Sequence, residues 1–296
     1  MNFFTLLSYF FIYGLLGWCV EVGYAGIKHG KFVNRGFLNG PICPIYGVGI
    51  CIVILLLTPF KTNIILLYIT STILVTVLEG VTGYAMDKIF HNKWWDYSNQ
   101  PLNIGGYVCL LFSLVWGVAC VVVVDLVHPF IAMLVSHIPF VVLVIFLVLL
   151  SIALFADLYV TASAIFKLNK RLESMDKIAK ELHELSDQLG EGIFNQVAEA
   201  MEKQDETKER FAEASAEFKE KTQNISEEVS TRLAGLKDVP EEMFSRIGGL
   251  KQNYQELSEK RSAVSRRLVR AFPKMESRKS NEQLEKLKEK LVGLKR

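Results

Sequence analysis

Before residue 167 the chain carries several apolar stretches of roughly 18 residues or more, each long enough to cross a bilayer as a helix. Lipid offers no partner to an open backbone N–H or C=O, so a spanning stretch is forced to bond within itself. Helices are expected at about 3–24, 43–59, 63–86, 104–126 and 140–166. The first lacks the basic start and small-residue cleavage site of a signal peptide and carries Trp18 and Glu21 near its end, so it reads as a retained helix.

Charge divides the chain once. Up to Phe166 the ionisable residues are sparse: Lys28, Lys31, Arg35, Lys61, Lys88 and Lys93 against Glu21, Glu79, Asp87, Asp96, Asp125 and Asp157. Beyond it, charges come at nearly every second or third position, which predicts a helical membrane domain over 1–166 and a charged, coiled-coil-like helical arm over 167–296. The fold class is all-α. A net charge of +2 says nothing about partners. Cys19, Cys43, Cys51, Cys109 and Cys120 lie in or beside apolar segments with no zinc spacing, and their odd number argues against a disulfide framework. They read as small buried hydrophobes.

Orientation follows from where Lys and Arg fall. Lys28, Lys31 and Arg35 follow the first helix, Lys88 and Lys93 the third, and Lys167, Lys170 and Arg171 the last, whereas the other connections hold only Lys61. Five spans with the N-terminus outside and the arm in the cytoplasm satisfy this pattern. Residues 128–139 are then an outer loop or surface helix, since a sixth span there would put the basic residues after Phe166 outside. The last span is long, could tilt, and has Asp157 and Tyr159 at its inner end.

Two informative loops then share the cytoplasmic face. One runs through Asn34-Arg35-Gly36, Asn39-Gly40-Pro41 and Pro44-Ile45-Tyr46-Gly47; the other through Lys93-Trp94-Trp95-Asp96-Tyr97, Pro101 and Asn103 to Gly105-Gly106. Both mix Gly and Pro, which permit unusual backbone paths, with amides and charges able to make directed bonds. Trp94 and Trp95 can equally be membrane-surface anchors. Each loop follows a helix with a glutamate near its inner end, Glu21 or Glu79. Ionisable groups in spans usually face a polar interior, a partner charge or a water path. The bland alternative is a structural ion pair, with Arg35 the natural partner for either glutamate. The candidate polar site is Glu21, Asn34, Arg35, Asn39, Glu79, Trp95, Asp96, Tyr97 and Asn103. A weak internal echo, Glu21 then Gly23-Tyr24-Ala25 and Glu79 then Gly83-Tyr84-Ala85, would suit a parallel repeat of two hairpins.

No phosphate-binding loop, nucleophile elbow or paired-histidine metal helix occurs, and His29, His91, His128, His137 and His183 are scattered. No metal or cofactor is expected, and any energising ATPase would be another chain. Taken together, Gly17-Trp18 with Glu21, Asn34-Arg35-Gly36, Gly40-Pro41, Pro44 to Gly47, Glu79, Trp94 to Tyr97 and Asn103 are similar to the ABC-transporter permease family of the CmpB-like, type IV group of bacterial membrane proteins. The resemblance covers about the first half of the chain. It implies a bacterial inner-membrane location and a transport role, and it supplies no catalytic or binding residues. The charged arm is not part of it.

In the arm, apolar residues recur every three or four positions: Leu168, Leu172, Met175, then Phe211, Phe218 and Ile225, then Met243, Ile247, Leu250, Tyr254 and Leu257, and last Leu284, Leu287, Leu291 and Leu294. That is the stripe of helices packing on helices. Gly190 and Gly192 weaken the first helix, Asp238-Val239-Pro240-Glu241 reads as a helix start, Pro273 as a stop, and Ser280 with Gln283 as a final cap. Acids dominate from Glu181 to Glu228, while Lys260, Arg261, Arg266, Arg267, Arg270, Lys274, Arg278 and Lys279 meet only Glu276. Either the acidic outgoing helix faces its basic return in an antiparallel hairpin, or the basic patch meets anionic membrane lipid or another acidic surface. Nucleic acid is disfavoured, with Phe272 the sole stacking aromatic in the patch.

These readings favour a permease-like subunit moving a small solute or lipid with a separate ATPase subunit. One rival is a non-transporting scaffold whose arm recruits a protein partner or a second copy as a homo-oligomer. Another is an intramembrane enzyme using a glutamate with Asp96 as acid and base, which lacks a nucleophile, so the chain is read as no enzyme.

Overall fold

The computed structural model describes residues 2–213, 241–260 and 262–292. Helix α1 (Phe3–His29) starts where the Asn2 Oδ1 accepts from the Thr5 amide at 2.8 Å and ends at Gly30 in the left-handed region. Pro44 opens α2 (Pro44–Leu57), where its missing N–H has no helical acceptor to lose, and a 3-10 turn prolongs it through Phe60. Asn63 caps α3 (Ile64–Phe90) by accepting from the Leu66 amide. After two-residue strands β1 (Asn92–Lys93), β2 (Asn103–Ile104) and β3 (Val108–Cys109) come α4 (Leu110–Val122), a π turn, α5 (His128–Ser136) and α6 (Phe140–Glu213).

Among the described residues, four helical runs are long and apolar enough to cross a membrane: Phe3–Lys28, Ile64–Phe90, Leu110–Ser136 and Phe140–Gln188. The expected second span appears as the shorter apolar run Pro44–Phe60, so the described residues hold these five apolar runs, four of them of full spanning length. The segment expected to be an outer loop or surface helix instead continues the fourth run. The π turn Val123–Val127, in which the His128 amide bonds the Val123 carbonyl, absorbs Pro129, whose ring nitrogen has no hydrogen to give.

Helices pair as two hairpins, α1 with α2 and α3 with α4. Small residues let the first pair approach closely. A Cβ on Gly17 would stand 2.5 Å from the Cβ of Tyr46, and one on Gly47 would strike the Phe10 carbonyl.

Beyond α6 the described chain forms α7 (Glu241–Glu259), α8 (Ala263–Ala271), β4 (Glu276–Ser277) and α9 (Asn281–Val292). Helix α6 runs through Gly190 and Gly192 without a break, since a glycine costs a helix only about 1 kcal/mol. Asp238, Val239 and Pro240, read as a helix start, lie outside the described residues, as do Phe218, Ile225 and Leu294. Helix α8 ends before Pro273, as expected, and has its own cap in Ser262, which was not foreseen.

By packing, Met1–Leu172 groups with Arg261–Arg296, and Glu173–Lys260 forms a second unit. This differs from an arm that takes everything after Phe166. The cause is a shared core: Phe90, Trp94, Ile165, Leu168 and Leu172 enclose Leu268, Val269, Met275, Leu284 and Leu287. Burying a leucine fully is worth roughly 1.5–3 kcal/mol, and Leu268, Leu284 and Leu287 are each at most 1% exposed. Strand β4 adds an antiparallel pair to β1, with Asn92 opposite Ser277 and Lys93 opposite Glu276. Leu284 and Leu287 of α9 face this core.

Within the second unit, α6 and α7 are joined by Arg246, whose Nη2 lies 2.5 Å from Glu181 Oε1. The side chains between 189 and 240, which hold most of the expected acidic face, lie outside the described ones.

Candidate polar site in the membrane half

Glu21 of α1 accepts from the Tyr46 hydroxyl at 2.7 Å. Arg35 Nε stands 3.3 Å from its other oxygen without hydrogen-bond alignment, and the guanidinium also lies over the Tyr24 ring. Charge proximity holds this pair, which is partly exposed and of modest strength. Glu79 of α3 accepts from the Tyr97 hydroxyl at 3.3 Å, and its Oε2 is buried with no hydrogen-bond partner among the described residues. In place of Arg35, expected as a partner for either glutamate, Glu79 meets a tyrosine from the second loop. Tyr97 stacks on Phe112 and sits within electrostatic range of Tyr46, Glu21 and Cys109. Burial, then the Glu79 carboxylate, push its phenol well up, so it remains a donor. The two hairpins therefore bring Glu21–Tyr46 and Tyr97–Glu79 into one polar cluster.

Asn34 organises the first loop. Its Oδ1 accepts from Trp18 Nε1 at 2.8 Å and the Gly36 amide at 3.0 Å, and its Nδ2 donates to the Asn39 carbonyl. Asn39 then reaches α6, where Nδ2 donates to Asp157 Oδ1 at 2.7 Å and Thr161 Oγ1 at 3.0 Å. The Gly40 amide donates to Asp157 Oδ2 at 2.7 Å. Arg267, expected on lipid or an acidic surface, is instead set into this loop. Its Nε donates to Asn39 Oδ1 at 3.0 Å, Nη1 to the Gly36 carbonyl at 2.7 Å and Nη2 to the Phe37 carbonyl at 2.8 Å. Burial lowers its pKa while the nearby Asp157 charge raises it.

The second loop is built around a tight turn with Gly105 and Gly106 both at positive φ, joining β2 to β3. This is the two-glycine geometry of a hairpin turn. Lys93 Nζ lies 2.5 Å from Asp96 Oδ1, and Ser98 donates to the same oxygen through its hydroxyl and amide. Asn103 donates to the Ser98 and Gln100 carbonyls, and Trp95 Nε1 to the Tyr107 carbonyl at 2.8 Å. So Trp95, Asp96 and Asn103 shape the loop, and only Tyr97 of these enters the carboxylate cluster. Arg278 bonds Asp87 at 2.5–3.0 Å, and Tyr107 donates to the same carboxylate. That bond to Asp87, more than burial, raises the Tyr107 phenol, and Asp87 likewise raises Arg278.

Burial alone would raise the Asp96 carboxyl, but Lys93 and Ser98 together outweigh it and hold the group at about 2. A folded-state pKa below the unfolded value gives stability that is present above the unfolded pKa of about 4 and lost as pH falls through the folded one. The melting temperature of the purified protein should therefore fall between about pH 4 and pH 2, and Asp96→Asn should flatten that limb. An unchanged limb in Asp96→Asn would remove Asp96 as its cause.

Asp87, Asp157, Tyr46, Thr161, Tyr107 and Arg278 were not foreseen as site residues. The two aspartates carried a signal as rare charges at the ends of apolar runs, but nothing in spacing tied them to partners more than a hundred positions away. Among the other basic residues, Arg270 and Lys274 are exposed, Lys260 is exposed at the end of α7, Arg266 is half-buried, and Arg261 lies outside the described residues.

No curated protein and no solved structure matches the chain. The family described as "Putative ABC-transporter type IV" matches residues 8–162, which hold both hairpins, both loops and Asp157. With more than half of its length in that match, the chain belongs to this family of ABC-transporter-type membrane proteins.

Proposed function

We propose that the membrane half is a permease-like subunit that moves a small solute or lipid, energised by a separate ATPase subunit, and is no enzyme in itself. The observation that carries this reading is the Glu21–Tyr46–Tyr97–Glu79 cluster, drawn from two hairpins and containing a buried carboxylate oxygen without a partner among the described residues. A charged carboxylate in lipid is strongly disfavoured, so such a group must hold a proton, meet a cation or face a polar path. Each of those suits a translocation route better than a static pin, which would leave no oxygen open. The basic residues orient the two loops, and the chain after Phe166, toward the cytoplasm, where an ATPase would dock.

Purification in mild detergent tests this. A nucleotide-hydrolysing subunit should accompany the protein, and Glu79→Leu should lower the solute-stimulated turnover of that complex about tenfold or more, equal to at least 1.4 kcal/mol of barrier. Glu79→Gln, which keeps shape and a hydrogen-bond acceptor, should assemble normally. Absence of any such subunit would instead favour a membrane scaffold whose helical arm gathers partners. Full turnover in both variants would take Glu79 out of the route.

A further inference from the structure

The C-terminal segment 262–292 touches the loops that follow both cluster glutamates. Arg267 of α8 holds the Gly36 and Phe37 carbonyls and Asn39 in the first loop. Arg278 holds Asp87 at the foot of α3, and its amide bonds the His91 carbonyl at 3.0 Å. Between these two arginines, Phe272 meets Trp94 edge-on with centroids 5.0 Å apart, and β4 pairs with β1. One short segment therefore fastens both loops to each other and to α6.

We propose that residues 262–292 are an intramolecular clasp that governs access to the Glu21–Glu79 cluster from the loop side, and that Glu173–Lys260 is an insertion the clasp does not need. This rests on the proposed role of the cluster, but access can be measured without any transport assay. Two native cysteines report it. Cys43 caps α2 three residues before Tyr46, with its amide on the Gly14 carbonyl at 2.9 Å, Cys109 of β3 lies opposite Asn103 in the second loop, and they are 6% and 1% exposed. Cys51 and Cys120 are also buried, but in the apolar cores between helices. They are internal controls for unfolding.

That the insertion can be spared follows from the core. Leu172, the last residue before it, shares one cluster with Leu268, six residues beyond Ser262. A Gly/Ser linker of about a dozen residues, with an r.m.s. reach of about 20 Å, can replace Glu173–Lys260.

The experiment uses a Cys19→Ser background, since Cys19 is exposed, and a water-soluble maleimide with mass-spectrometric readout. Ending the chain after Lys260 should speed labelling of Cys43 and Cys109 about tenfold or more, leaving Cys51 and Cys120 silent, as expected for local opening. Arg278→Ala in the full chain should speed Cys109 alone. The linker variant should label like the parent. Unchanged Cys43 and Cys109 in the truncated chain would overturn the clasp, as would equal labelling of all four, which is general unfolding. Fast labelling in the linker variant would show that the insertion holds the segment in place. If labelling follows the clasp while Glu79→Leu leaves turnover intact, the clasp stands and the transport reading falls.

Discussion

Gly47→Val should cost the membrane unit about 3 kcal/mol or more, at the upper end of what overpacking a core does. A Cβ on Gly47 would run into the Phe10 carbonyl and stand 2.8 Å from the Phe10 ring. The carbonyl belongs to the α1 backbone, so no rotamer change relieves the clash, and α1 and α2 must separate. That separation would take Tyr46 away from Glu21, because Tyr46 lies one residue before Gly47 on the same helix and packs against Gly17. Gly49→Ala is the matched control: nothing stands within 4 Å of the added Cβ, and alanine raises helix propensity by close to 1 kcal/mol. Thermal unfolding in detergent should show Gly47→Val melting far below the parent and Gly49→Ala at or above it. Equal melting of both would mean that α1 and α2 do not meet as closely as the backbone contact requires.

The apolar runs made the helices legible, because a bilayer leaves a long uncharged stretch few other solutions. The Glu21–Arg35 pair was legible only in part: Arg35 stood out as a partner for either glutamate, and the structure places it beside Glu21. Glu79 was marked as a costly charge, yet its partner was misassigned. Charge arithmetic looks for a cation, whereas the structure supplies a tyrosine hydroxyl from a loop whose path depends on Gly105 and Gly106. The C-terminal segment shows the same limit from the other side. Leu284 and Leu287 announced a helix with one buried face, but a stripe states only that something covers it. What covers it here is Phe90, Trp94 and Leu168, and that pairing has no trace in spacing. Likewise the basic run from 260 to 279 looked like one surface. Its members diverge because α8 turns Arg267 into the first loop while Arg270 stays exposed.

Arg267→Ala should weaken the docking of α8 on the first loop by about 3–5 kcal/mol. The guanidinium satisfies three acceptors at once, Asn39 Oδ1 and the Gly36 and Phe37 carbonyls. Leaving a buried acceptor unmade costs roughly 1–3 kcal/mol, and water entering the gap offsets part of that sum. The loss should not stay local. Asn39 donates to Asp157 and Thr161 while accepting from Arg267, so freeing its oxygen loosens the tie between the first loop and α6. Arg267→Lys should recover only a minor part, because a single ammonium cannot reproduce the planar fork that spans two carbonyls and an amide. Hydrogen exchange gives a direct reading, since the Asn39 and Gly40 amides both donate to Asp157. In Arg267→Ala their exchange should accelerate by about two orders of magnitude or more, in line with a loss above roughly 2.7 kcal/mol. Amides in the middle of α4, far from the arginine in sequence and in a different hairpin, should keep their rates. Protection of Asn39 and Gly40 unchanged by Arg267→Ala would show that Asp157 alone fixes the first loop and that the arginine only rests on it.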